Sequence, residues 1–61
     1  MHERLKRIRK RFDMTQKEFA EALHIKQNTV ASYEMGRITP SDSVIAGICR
    51  EFGVNEEWLR T

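Results

Sequence analysis

A chain of 61 residues with a net charge of +2 is one small domain, with room for a single apolar core. Its lone cysteine, Cys49, excludes an internal disulfide and a cysteine-based zinc site, and it fits a reducing cytoplasm better than secretion. Every uninterrupted apolar run is far too short to span a membrane, and no apolar segment follows the basic amino-terminal dozen as a signal peptide would require.

The charge is unevenly spread. Residues 1–37 hold nine Lys/Arg against five Asp/Glu, and residues 38–61 hold two against four, so the halves carry +4 and −2. Such polarity orients a molecule toward a polyanion. In the first segment Leu5, Ile8 and Phe12 are spaced as one apolar stripe, which predicts a helix over 3–12. Arg4, Lys6, Arg7, Arg9, Lys10 and Arg11 crowd its other faces. The basic run resembles a nuclear localisation signal or a membrane-surface helix, but a core should claim the Leu5–Ile8–Phe12 stripe. His2 is expected to lie unstructured at the terminus, and Asp13-Met14 to form a short connection.

Thr15-Gln16-Lys17-Glu18 has the form of a capping box, in which Thr15 and Glu18 satisfy each other's free backbone donors. A second helix follows to Leu23 and buries Phe19, Ala20 and Leu23. His24-Ile25-Lys26 reads as a tight turn, and a third helix runs from about Gln27 to Met35 until Gly36 stops it. Arg37 to Pro40 is a loop. Ser41 caps a fourth helix, with Asp42 favouring its positive end. Its apolar face is Val44, Ile45, Ile48, Cys49 and Phe52, and Gly53 ends it. Asn55 caps a last short helix with Glu56 and Glu57 in its first turn and Trp58 and Leu59 behind them. Five helices and no strand make the fold class an all-α, five-helix bundle.

Helices two and three must cross steeply within a very short turn. Ala20 is small where their backbones approach, Ile25 plugs the turn, and Val30 and Tyr33 face helix two. Asn28, Thr29, Ala31 and Ser32 are left on the outer side of helix three, a small polar face that suits base-pair edges in a DNA major groove. No His, Cys, Asp or Glu grouping has a catalytic spacing, and 61 residues leave little room for a pocket, so no enzyme is expected, nor a metal, cofactor or small-molecule site.

From Met14 to Leu59 the chain resembles the Cro/C1-type helix-turn-helix domain of phage repressors and related bacterial regulators, with a lambda-repressor-like fold. The resemblance rests on TQKEFAEAL, on Tyr33-Glu34-Met35-Gly36, on Pro40-Ser41 and on FGVNEEWL. One departure is His24, where the family has glycine. The resemblance implies a cytoplasmic, bacterial or phage-encoded regulator that binds a palindromic double-stranded operator as a homodimer. It implies base readers at Lys26, Gln27, Asn28 and Ser32, since amides pair with adenine N6/N7 and a lysine donates to guanine.

Gln16 corresponds to a family glutamine that binds a backbone phosphate. Arg9 matches a residue that faces phosphate and forms an ion pair with the Glu34 equivalent. Lys17, Thr29 and Arg37 complete the expected phosphate contacts. Trp58 and Leu59 are read either as a dimer contact or as the last piece of the monomer core. Larger repressors continue from this point into a linker and a dimerisation domain, so residues 1–61 form a single domain that fits the amino-terminal part of a longer regulator. The competing function is that of an antitoxin or protein-interaction module in which DNA binding is secondary.

Overall fold

Local capping rules set most of the helix boundaries. The computed structural model describes residues 1–61 as α1 (His2–Arg11), α2 (Gln16–Leu23), α3 (Gln27–Glu34), α4 (Asp42–Phe52) and α5 (Glu56–Arg60). The capping box is present in both directions: Glu18 N–H donates to Thr15 Oγ1 at 3.1 Å, and Thr15 N–H donates to Glu18 Oε1 at 2.8 Å. Ser41 accepts from Val44 N–H, and Asn55 from Trp58 N–H, as their side chains predict.

The first four helices all end on a left-handed residue: Asp13, His24, Gly36 and Gly53, with φ of 55°, 59°, 74° and 65°. At Gly36 the closing bonds form the double-bond motif of helix carboxy ends, with Gly36 N–H on Tyr33 O and Arg37 N–H on Ser32 O. A β-carbon there would also stand 3.2 Å from the His2 ring. His24 closes α2 in the same way, and Ile25 N–H reaches Ala20 O at 3.0 Å. This bond turns Ile25 back under the helix as the plug that the spacing predicts.

Every helix contributes to the core, which comprises Leu5, Ile8, Phe19, Ala20, Val30, Tyr33, Ile45, Ile48 and Leu59. Phe19 is 1% exposed and stacks on Phe52, with ring centroids 5.0 Å apart. Removing a ring buried this well costs about 3–5 kcal/mol, comparable to the roughly 3–9 kcal/mol that holds a domain of this size folded.

Three expectations change. His2 is not unstructured; it is the first residue of α1 and lies against Gly36. Phe12 is not buried with Leu5 and Ile8. It lies beyond the last turn of α1, is 47% exposed, and rests on Phe52 at a tilt of 54°. Leu23 is half-buried against the core rather than inside it. α3 closes at Glu34 with Met35 as its cap, 61% exposed, in line with the expected end near Met35.

Candidate nucleic-acid interface

α3 is oriented by a charge cluster at its carboxy end. Glu34 is the one buried charged residue, and its side chain is 4% exposed. It accepts Arg9 Nε at 2.7 Å and Arg9 Nη2 at 3.1 Å, a forked pair that fixes α3 against α1. Gln16 Nε2 adds a bond at 3.3 Å from the first residue of α2. Arg9 Nη1 donates to the Met14 carbonyl, so the guanidinium also pins the connection between α1 and α2. No buried side-chain polar atom is left without a partner. Such a pair holds geometry more than it adds stability, because burying both charges offsets most of their attraction.

The opposite end of α3 is open. Lys26 occupies the capping position, and no side chain closes the helix there, whereas Thr15, Ser41 and Asn55 close α2, α4 and α5. Lys26, Gln27 and Asn28 are exposed, while Thr29, Ala31 and Ser32 are half-buried. The polar face is thus narrower than the expected set of Asn28, Thr29, Ala31 and Ser32, and it is concentrated in the first turn. The inner side is occupied by Val30, 1% exposed, and Tyr33, 8% exposed.

The structure brings Arg9, Gln16 and Glu34 into one cluster and sets Lys26, Gln27, Asn28 and Ser32 along one short helix. Lys17 and Arg37 are exposed on α2 and on the loop after α3. With 13% side-chain exposure and three of its N–H groups engaged, Arg9 has little surface left for a phosphate. Gln16 is half-buried and partly drawn toward Glu34.

Leu59 must be corrected as a dimer contact: it is 0% exposed and completes the monomer core. Trp58 is half-buried. Arg4 donates to its carbonyl oxygen, and the guanidiniums of Arg4 and Arg7 lie 5.0 and 5.7 Å from its ring centre. Leu59 thus belongs to the monomer core, while Trp58 keeps part of its surface exposed. Burial pushes the Cys49 thiol up, with Glu56 adding to the shift and Arg60 opposing it, which leaves it a poor nucleophile.

Sequence reasoning missed two features of this surface. Met35, the residue that caps α3, is an exposed large apolar side chain at the end of the helix away from Lys26. The bond from Gln16 to Glu34 spans 18 residues, and no local pattern announces it.

The helix-turn-helix family model matches residues 5–59, almost the whole chain. The chain belongs to the helix-turn-helix family. Its members are DNA-binding domains and regulators rather than enzymes. The chain is 39% identical over 51 residues to the antitoxin PezA of Streptococcus pneumoniae serotype 4, which covers 84% of this chain and 32% of that protein. It is 33% identical over 57 residues to an uncharacterized HTH-type transcriptional regulator of Archaeoglobus fulgidus, covering 93% of this chain and 80% of that protein. The chain thus spans about a third of one relative and four-fifths of the other. No solved structure matches it.

Proposed function

We propose that this domain binds double-stranded DNA sequence-specifically as a transcriptional regulator of the prophage-repressor type, with α3 in the major groove. The observation that carries this reading is the exposed, uncapped first turn of α3, held in a fixed direction by Glu34 at the other end. In this reading Gln27 and Asn28 read adenine edges, Lys26 donates to guanine, and Ser32 reaches from the second turn. Lys17, Arg37, Thr29 and Gln16 contact phosphates, while Arg9 acts mainly through Glu34. The protein works in the cytoplasm as a homodimer on a palindromic operator, its two α3 helices one DNA turn apart, roughly 34 Å.

Selection of bound sites from random duplex DNA tests this directly. A palindrome with half-sites spaced by about one turn is the expected result, and no enrichment over nonspecific duplex overturns the reading. Lys17→Ala should weaken binding to all sequences alike and lower the salt slope by about one. An unchanged slope removes Lys17 from the phosphate contacts.

The match to an antitoxin supports a second reading, in which the domain anchors a toxin–antitoxin complex to DNA. Recovery of a stably bound toxin with the full-length protein would favour it.

A further inference from the structure

α1 has two basic flanks with different neighbours. Arg9 turns toward α3 through Glu34, and His2 lies beside Gly36 just after α3. Arg4 and Arg7 turn toward α5 through Trp58. On this second flank an open groove of about 750 Å³ runs between α1 and the α4–α5 connection. Its floor is largely apolar, with Phe12, Phe52 and Trp58 as its aromatic part, and Arg7, Lys10 and Arg11 stand on its rim. None of the ten residues lining it is acidic. Phe12 is 47% exposed here although it has left the core stripe of its own helix.

We propose that this groove is a docking site for an acidic amphipathic helix of a partner protein, independent of the DNA-binding surface. An apolar floor takes apolar anchors at i, i+3 or i+4 and i+7, and the cationic rim pairs with carboxylates flanking them. Two alternatives fit less well. Groove-to-groove contact between two copies brings two cationic rims together, with no acidic residue in either lining to pair with Arg7, Lys10 or Arg11. A single-stranded nucleic acid needs a row of open aromatic faces for successive bases, but Phe12 is tilted onto Phe52, and Phe52 is itself stacked on Phe19.

Trp58, the only tryptophan, reports on the site by fluorescence and by its indole N–H resonance. The probes are a blocked peptide of about 18 residues with leucine on one helical face and glutamate on the others, and its lysine-for-glutamate counterpart. The expected result is saturable binding of the acidic peptide, at least about tenfold tighter than the basic one and weakened by salt. A Lys10→Glu/Arg11→Glu variant, checked for unchanged helicity and melting, should reverse the preference. Equal or absent binding of the two peptides on the unsubstituted chain overturns the proposal. So does tighter binding of an oligothymidine of about 15 nucleotides to the same resonances, or a concentration-dependent Trp58 shift in the chain alone. Duplex DNA titrated in parallel should perturb Gln27 and Asn28 instead, so a failure here is distinguishable from a failure of the DNA reading.

Discussion

α2 and α3 are both eight residues long and adjacent in the chain, yet they are finished in opposite ways. α2 is closed at its amino end by a reciprocal cap, buries Phe19 and Ala20, and is built largely of good helix formers. α3 begins on an uncapped lysine, carries Asn, Thr and Val in its first turn, and exposes its polar residues at the same end. A capping side chain at that position is worth about 1 kcal/mol, so α3 forgoes stability where its candidate readers sit. Its orientation is fixed from the other end, by Glu34. Within one motif, then, α2 is built to be stable and α3 to be held.

The sharpest way to break this comparison is to release the held end. Glu34→Ala leaves the Arg9 guanidinium with little solvent and no carboxylate, a change expected to cost about 3–5 kcal/mol, most of the stability of so small a domain. Denaturant unfolding measures it. The double variant Arg9→Met/Glu34→Leu should recover much of that loss while loosening α3, so its specific DNA affinity should fall even where its melting temperature does not. A Glu34→Ala variant as stable as the parent would show that α3 is placed by apolar packing alone.

At the open end the expected effects shift from stability to binding. Gln27→Ala should leave stability within about 0.5 kcal/mol, cost roughly 1–3 kcal/mol on the selected site, and barely alter nonspecific affinity. Equal losses on both kinds of DNA would remove Gln27 from base reading. Lys26→Ser supplies the missing cap and should raise stability by about 1 kcal/mol while weakening duplex binding. If thermal melting shows no gain, the amino end of α3 is already satisfied and the contrast with α2 collapses.

Most of the fold was legible because its signals are local. Thr15 with Glu18, Ser41 and Asn55 name their helix starts within three residues, and Gly36 and Gly53 name two of the ends. What escaped depends on partners distant in the chain. The spacing of Phe12 with Leu5 and Ile8 carries no information on where α1 stops, and one residue past the end is enough to move its ring outward. Leu59 is hydrophobic in either reading, and only the closing of α5 onto the other helices decides that it is core. The candidate readers were legible as residue types at a helix start. The half-burial of Ser32 and the pull of Glu34 on Gln16 came only with the packing.

The smallest expected effect tests where α2 itself falls short. His24 closes it at φ 59°, a conformation in which a β-carbon is strained and glycine is not. Its side chain is exposed and makes no hydrogen bond, so His24→Gly removes strain without removing a contact. Glycine also loosens the unfolded chain, and that entropy offsets part of the relief. The net gain should be about 0.5–1 kcal/mol, which raises the melting temperature by roughly 2–8 °C for a domain of this length. Because the turn keeps its geometry, cognate DNA affinity should not change by more than about twofold. A lower melting temperature would mean that His24 is comfortable in the left-handed region, and that the weak point of the motif lies wholly in α3.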